Sequence, residues 1–111
     1  MAIIAKNDTK GVCLLWYYFS IFTPTMSISK NDLWVGVDVG STTVKIAVVD
    51  PETSKLLHYT YQRHNAMQAK KVFEVLREAH GLFPDKNFRV AFCGSGGQPF
   101  AEATHAFFVQ E

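Results

Sequence analysis

Residues 35–50 read VGVDVGSTTVKIAVVD, a stretch in which two apolar runs flank a short polar bend. The first run covers residues 33–39 (LWVGVDV) and the second residues 43–49 (TVKIAVV). Both are rich in β-branched residues and short enough to be buried strands. Because the bend between them is too tight for a crossover, we expect the two strands to pair antiparallel as a hairpin.

The same bend carries the residues best suited to chemistry. Asp38 ends the first run and is followed by Gly40, Ser41, Thr42, Thr43 and Lys45. Glycine lets a backbone approach a ligand closely, and successive N–H groups of such a turn can form an anion nest. A single carboxylate suits Mg²⁺ held largely through waters, and a lysine can offset phosphate charge. A plain hairpin turn capped by a buried aspartate explains the same residues, and spacing alone does not decide between the two.

Three further elements are predicted after the hairpin. Residues 50–54 (DPETS) have turn composition, and residues 56–63 (LLHYTYQR) alternate as a third strand, with Leu57, Tyr59 and Tyr61 on one face and one face wetter than the other. A helix follows, which we expect Asn65 to cap and Gly81 to end. Its predicted apolar stripe consists of Ala69, Val72, Phe73, Leu76 and Ala79.

A fourth strand at residues 88–93 (FRVAFC) is reached through that helix and is expected to lie parallel to a neighbour. A second helix is predicted to begin near Pro99 and to run through Phe100, Ala103 and Phe107. The predicted order is therefore strand, strand, strand, helix, strand, helix.

A second glycine-rich turn, Gly94-Ser95-Gly96-Gly97, joins the fourth strand to the second helix. Such a turn presents N–H groups and the positive end of a helix dipole to an anion. It matches neither the P-loop pattern nor the dinucleotide-binding fingerprint. Taken alone, a flexible connection explains it better than a phosphate site does.

Composition excludes several classes of protein. The 111 residues suffice for one modest domain, and 48% hydrophobic with 19% charged residues excludes wholesale disorder. The net charge is +1 and no basic stripe stands out, so no nucleic-acid surface is expected. Cys13 and Cys93 form no CxxC pair, which is typical of a reducing cytoplasm and predicts a cytoplasmic protein.

The four histidines show no metal-ligand spacing with each other or with either cysteine, and we expect most of them to be exposed or half-buried: His58, His64, His80 and His105. His64 follows the third strand and is predicted to lie at a solvated strand end.

Residues 1–30 differ from the rest of the chain. Their apolar run at 12–22 (VCLLWYYFSIF) is shorter than the about 20 residues of a membrane span, so no span is predicted. No clear small-x-small cleavage site follows it. We interpret residues 1–30 as a leader or upstream extension outside the fold, with Met26 as the preferred start over a weak export or membrane-surface segment. Residues 31–111 are then the folded part.

Four segments of the chain resemble the CoA-substrate-specific enzyme activase family, the BadF/BadG/BcrA/BcrD ATPases, which includes the 2-hydroxyacyl-CoA dehydratase activators. They are VGVDVGSTTVKIAVVD at 35–50, YQRH at 61–64, CGSGG at 93–97 and FVQE at 108–111. The first is shared with the wider superfamily of actin, sugar kinases and heat-shock chaperone ATPases, and the combination is similar to the opening domain of long family members. The resemblance implies an α/β, ribonuclease-H-like half-domain.

The resemblance also implies a function. Family members bind ATP with Mg²⁺ between two related halves, and hydrolysis promotes electron transfer to a CoA-ester dehydratase or reductase component. The activators are homodimers that share one [4Fe–4S] cluster. By this resemblance Asp38 is the catalytic residue near Mg²⁺, and Lys45 closes the phosphate motif. The nucleotide-binding positions are Gly40, Ser41, Thr42, Thr43, Lys45, Gly94, Ser95, Gly96 and Gly97.

The chain departs from complete family members. It ends at Glu111, ahead of the second phosphate motif and the adenosine-binding half, and neither cysteine matches a cluster ligand. We therefore expect a truncated N-terminal part that is inactive or binds nucleotide only weakly. Two alternatives stay open: a metal-dependent nuclease on a ribonuclease-H-like scaffold, and a non-enzymatic interaction module anchored by the aromatic leader.

Overall fold

A computed structural model of the chain describes residues 31–109, so the expectations for the leader at 1–30 lie outside the described residues. The described part contains five strands and two helices. They are β1 (Asp32–Val39), β2 (Thr43–Asp50), β3 (Lys55–Arg63), α1 (Gln68–Leu82), β4 (Asn87–Cys93), α2 (Gln98–Thr104) and β5 (Phe107–Phe108). No helix among residues 31–109 is long and apolar enough to cross a bilayer.

The strands form one mixed sheet in the order β3-β2-β1-β4-β5. β1 pairs antiparallel with β2, and β2 pairs antiparallel with β3. β4 lies parallel to β1, and β5 lies parallel to β4. The tight bend dictates the antiparallel pairing of β1 with β2 and the helical crossover the parallel pairing of β4 with β1, both as predicted, whereas β5 was not predicted. A three-stranded antiparallel meander that continues through a helix into parallel strands confirms the predicted α/β, ribonuclease-H-like topology.

The register of β1 with its two neighbours determines which residues lie beside Asp38, near the carboxyl end of β1. Asp38 is opposite Lys45 of β2 on one side and opposite Cys93 of β4 on the other. β1 and β4 run in the same direction, so the turns that follow them leave the sheet at the same edge. The bend at 40–42 and the glycine-rich turn at 94–97 are therefore neighbours.

The core lies between one face of the sheet and the two helices. Alternate residues of β1 point to opposite faces, and Val35 and Val37, both fully buried, pack with the helices. The helices contribute Val72, Val75, Ala79 and Ala101 to this cluster. A smaller buried cluster on the other face is built around Trp34.

The predicted face of α1 was partly wrong. Val72 and Ala79 are buried as expected, but Phe73 is 69% exposed and Ala69 is exposed too. Val75, which the predicted stripe left out, is 1% exposed. The side of α1 that packs on the sheet is therefore centred nearer to Val75 than predicted, and Phe73 lies outside the contact.

Both predicted ends of α1 also need correction. Asn65 has a left-handed φ of 52° and lies before the helix, whose N-cap is Met67 without a side-chain cap. Gly81 lies inside the helix, which continues to Leu82 and is capped by Phe83. The Phe83 N–H donates to the His80 carbonyl, so this end forms without a left-handed glycine.

The second helix is shorter than predicted. α2 ends at Thr104 because His105 adopts a left-handed conformation, with φ 55°. Phe107 consequently belongs to β5 and not to the helix. The buried helical residue is Ala101, whereas Ala103 is exposed.

The two faces of β3 are less regular than simple alternation predicts. The pairing with β2 shifts register between Val48 and Val49. Leu57 has no partner in β2 at this shift and is exposed, while Leu56 and Tyr59 pack against the cluster around Trp34. Tyr61 stays on the face of Tyr59, opposite Lys45, and is exposed. A bulge of this kind turns neighbouring side chains away from strict alternation.

Candidate functional site

The bend between β1 and β2 is open at its tip. The Gly40 N–H donates to the Thr43 carbonyl at 2.8 Å, which closes the turn. Ser41 and Thr42 are exposed, and no hydrogen bond within residues 31–109 uses their N–H groups. None of the bend residues has a positive φ. Two backbone donors and two hydroxyls are thus available to a ligand from a turn of ordinary backbone conformation.

A charge pair lies at the base of this bend. The Lys45 Nζ is 3.7 Å from the Asp38 Oδ2, and the two side chains are 21% and 12% exposed. The same ammonium lies 5.6 Å from the centre of the Tyr61 ring. Partial burial strengthens the attraction between the two charges compared with a fully solvated pair. The edge therefore offers both a cation for an anionic ligand and a carboxylate for a metal.

The second glycine-rich turn packs tightly against the first. Gly94 has a φ of 89°, and its α-carbon lies against the Asp38 carboxylate and the Val39 carbonyl. The Gly96 N–H donates to the Val39 carbonyl at 2.9 Å, and the Gly97 N–H donates to the Gly94 carbonyl at 3.1 Å. Two of the four N–H groups in this turn, those of Gly96 and Gly97, therefore already donate to backbone carbonyls. Ser95 is exposed.

His64 does not lie at a solvated strand end, so that prediction was wrong. Its side chain is buried, with 5% of the residue exposed, and its Nε2 lies 3.0 Å from the Gly40 carbonyl oxygen. The His64 N–H also donates to the Thr42 carbonyl at 3.1 Å. The register of the sheet explains this position: β3 pairs Arg63 with Thr43, which brings the next residue beside the bend.

Gln68, which nothing in the sequence singled out, is a second residue at the bend. Its Nε2 donates to the same Gly40 carbonyl oxygen at 3.0 Å. Gln68 is the first residue of α1. The start of this helix and the residue after β3 therefore both contact the Gly40 carbonyl oxygen.

The donor set determines which cations this edge can hold. No group of three or more His, Cys, Asp or Glu side chains with metal-binding geometry exists among the described residues. Mg²⁺ commonly uses one or two carboxylates and completes its shell with waters and phosphate oxygens. Asp38, at the base of an open bend, fits a magnesium ion of that kind and does not fit a cation enclosed by protein ligands alone.

The described residues do not fit an iron–sulfur cluster. A [4Fe–4S] cluster is held by four cysteine thiolates. Residues 31–109 contain one cysteine, Cys93, which is buried in β4. Cys13 lies outside the described residues.

A cavity of about 490 Å³ lies away from the bend, along β4 and the segment that leads into β5. Phe88, Arg89, His105 and Phe107 are among its lining residues, and none of the bend residues lines it. Its walls are therefore separate from the group around Asp38.

No protein-family model matches the chain, and no curated protein matches it. Among solved structures, the chain is similar to a member of the Ppx/GppA protein family from Aquifex aeolicus, with 11% sequence identity and a TM-score of 0.43. The likeness covers 70% of this chain and 35% of that protein, so the chain spans about a third of its length.

Proposed function

We propose that residues 31–109 form the first phosphate-binding part of an ATPase, and that this ATPase is an activase of the BadF/BadG/BcrA/BcrD type. In this role the bend at 40–43 binds the terminal phosphates of ATP. Asp38 is the catalytic residue that holds Mg²⁺ through its waters, and Lys45 faces the phosphate charge. Mg²⁺, when bound, would reduce the charge on the phosphoryl oxygens.

The observation that carries the proposal is the open bend beside a charge pair. The Ser41 and Thr42 amides have no acceptor among the described residues, and their hydroxyls are exposed. Exposed N–H and O–H donors on a bend with a lysine at its base suit phosphate oxygens. The Gly40–Thr43 hydrogen bond closes the turn, which leaves the Ser41 and Thr42 amides to solvent or to a ligand.

The narrower assignment to the activases is supported by where the similar segments meet. YQRH contributes His64, which contacts Gly40, and CGSGG contributes Gly94, which lies against Asp38. Two of the similar segments thus contact the bend that the first segment forms. FVQE extends to residue 111 and lies partly outside the described residues.

The second glycine-rich turn has a smaller part in this proposal. Gly94, Gly96 and Gly97 keep the backbone close to the bend, and Ser95 adds an exposed hydroxyl at its side. We assign the direct phosphate contacts chiefly to the bend, because the Gly96 and Gly97 amides already have acceptors within the fold.

The wider functions proposed from the family resemblance involve other parts of a complete protein. They are closure of the nucleotide site by a second half, homodimerisation around a [4Fe–4S] cluster, and electron transfer to a CoA-ester dehydratase or reductase component. Residues 31–109 supply no cluster ligands for this scheme beyond the single buried cysteine. One half-site also leaves much of the nucleotide in water, so we expect weak binding.

The nuclease alternative is less well supported. Two-metal nucleases gather several carboxylates at one place, whereas the β4 residue opposite Asp38 is Cys93 and the next residue is Gly94. No ligand cluster of the required kind occurs in the described part of the chain. The interaction-module alternative depends on residues 1–30, which lie outside that part.

Calorimetric titration of the full chain with Mg-ATP tests the proposed function. Asp38→Asn keeps the side-chain shape and removes the charge, and Asp85→Asn is the matched control at an exposed loop position. We expect weak binding by the wild type and the control, and a loss of the Mg²⁺-dependent part in Asp38→Asn. Equal binding by all three chains, or none by the wild type, would contradict the proposal.

A further inference from the structure

We infer that His64 and Gln68 are positioning residues that set the direction of the Ser41 N–H by gripping the Gly40 carbonyl oxygen. The inference rests on the proposed function, because it explains how the phosphate-binding amide is aimed. Both side chains donate to the same oxygen, each at 3.0 Å. We call this pair of donors the carbonyl clamp.

The proton on the His64 ring is located by its other nitrogen. The Ala66 N–H donates to the His64 Nδ1 at 3.1 Å, so Nδ1 must carry a lone pair. A neutral imidazole then has its proton on Nε2. That nitrogen faces the Gly40 oxygen, and His64 is therefore a donor in the clamp.

The connection between β3 and α1 fixes the position of the ring. Asn65 and Ala66 have φ values of 52° and 64°, a left-handed conformation that is unfavourable for an alanine. The Met67 N–H donates to the His64 carbonyl at 2.8 Å and closes this turn. The unusual backbone brings the Ala66 N–H to Nδ1 at the edge of the ring, and this hydrogen bond holds the imidazole in one orientation.

The clamp acts on the bend through the geometry of the peptide group. The Gly40 C=O and the Ser41 N–H belong to one planar trans unit and point in opposite directions. Two donors that hold the oxygen on the inner side therefore aim the Ser41 N–H outward. Hydrogen bonds accepted by the carbonyl also polarise the N–H at the other end of the unit.

A second peptide unit is held in the same way. The His64 backbone N–H donates to the Thr42 carbonyl at 3.1 Å, which orients the Thr43 N–H by the same argument. His64 thus holds two carbonyls of the bend, that of Gly40 with its ring and that of Thr42 with its backbone N–H.

Gln68 links the clamp to the second glycine-rich turn. A β-carbon at Gly96 would lie 2.7 Å from the Gln68 Nε2. Since the Gln68 side chain has a flexible end, Gly96→Ala is expected to push the amide away from Gly40 while the backbone stays in place. Position 96 therefore offers a way to open half of the clamp without changing either clamp residue.

The test uses substitutions that separate the two nitrogens of His64 in the full chain. His64→Gln can return a donor to the Gly40 oxygen, whereas the shorter His64→Asn can accept from Ala66 but cannot reach Gly40. Gln68→Glu replaces the donor with an acceptor of the same shape. His80→Asn and Gln98→Glu are matched controls, because both side chains are exposed and lie outside the bend.

Nuclear magnetic resonance of the ligand-free chain reads the clamp directly. We expect the ring of His64 to be protonated on Nε2. The Gly40 carbonyl and Ser41 amide resonances should move in His64→Asn, Gln68→Glu and Gly96→Ala, and stay near wild type in the controls. His64→Gln should restore most of the shift. Unchanged resonances in Gln68→Glu and Gly96→Ala would overturn the inference even if His64→Asn failed to fold.

Mg-ATP titration of the same variants then reads the consequence. Loss of one clamp donor should weaken binding about fivefold, the effect of one net hydrogen bond. The double change of His64→Asn with Gln68→Glu should deviate from additivity because both residues act on one oxygen. If the wild type does not bind, the proposed function fails, while the ligand-free resonances still decide whether the clamp exists. Wild-type affinity in both single variants would contradict the positioning role.

Discussion

The α-carbon of Gly94 lies directly against the carboxylate of Asp38. A β-carbon at position 94 would collide with the Asp38 Oδ1 and the Val39 carbonyl oxygen. The other carboxylate oxygen, Oδ2, faces Lys45 at 3.7 Å. The carboxylate at the base of the bend is therefore held between a glycine of one turn and a lysine of the neighbouring strand.

Gly94→Ala should destabilise the protein. The substitution places a side chain at a φ of 89° and in direct collision with β1, and a cost of about 2 kcal/mol or more in the free energy of unfolding is expected. Urea denaturation measures it. Gly81→Ala is the control: it lies in α1 with open space around it, and should stabilise by about 0.5–1 kcal/mol. Equal stability of the two variants would refute this reading of Gly94.

The orientation of α1 is testable with two neighbouring positions. Val75 is 1% exposed and Phe73 is 69% exposed, so Val75→Ala should lower the free energy of unfolding by about 2 kcal/mol through cavity formation. Phe73→Ala should change it by less than about 0.5 kcal/mol. Denaturant midpoints of the two variants give the comparison. A larger loss of unfolding free energy in Phe73→Ala than in Val75→Ala would mean that the side of α1 carrying Phe73 packs on the sheet.

Lys45→Met should weaken Mg-ATP binding about tenfold, since it removes a charged partner for the phosphates. Salt screens the attraction between the Lys45 ammonium and the phosphates. Without this ammonium, the affinity of the variant should therefore depend less on salt concentration. Lys55→Met, at the exposed start of β3, is the control and should keep both. Titrations at low and high salt measure the effect. The same loss in both variants would point to net charge and not to a site.

Glu74 should titrate below the ordinary pKa of a glutamate. The hydrogen bond from Lys71, at 2.8 Å, is the main cause that lowers the pKa of this carboxyl, and the nearby charges of Lys70 and Arg77 add to it. A carboxyl with a lowered folded-state pKa favours the folded state above its unfolded-state pKa. That contribution is lost as pH falls through the lower value.

Carbon-detected magnetic resonance titration of Glu74 checks this prediction. Lys71→Met should raise the pKa of Glu74 towards its ordinary value. Lys70→Met removes a charge without touching the hydrogen bond, and should raise it less. A larger rise in Lys70→Met would show that long-range charge, and not the hydrogen bond, sets the pKa.

The sequence predicted the sheet well because its strands are specified locally. The runs around the bend are β-branched and separated by a turn that permits only a hairpin, and the helix before β4 permits only a parallel neighbour. β5 has two residues, too few for a periodic signal, and the left-handed His105 that separates it from α2 leaves no pattern in composition.

The rotation of α1 could not be predicted in the same way. Val72, Leu76 and Ala79 define an apolar stripe, and both Phe73 and Val75 lie at its margins. Which margin is buried depends on how the helix packs on a twisted sheet, and this is a property of the assembled fold. From hydrophobicity and size alone, Phe73 was predicted to be buried. In the fold, the smaller Val75 is buried instead.

Asp38 and the bend could be singled out from sequence because the residues suited to phosphate and Mg²⁺ lie next to one another in the chain. His64 and Gln68 could not, because they act on Gly40 across 24 and 28 positions. A histidine after a strand and a glutamine at a helix start are ordinary surface residues by composition. Only the pairing of Thr43 with Arg63 shows that the meander returns His64 to the bend.

The most direct measurement is the response of the Ser41 and Thr42 amide resonances of the full chain to Mg-ATP, with Mg-AMP and adenosine as comparisons. The account predicts that both amides move with Mg-ATP, move less with Mg-AMP, stay in place with adenosine, and lose most of the response in Asp38→Asn. Amides that stay in place with Mg-ATP while residues elsewhere respond would contradict the claim that this bend binds terminal phosphates.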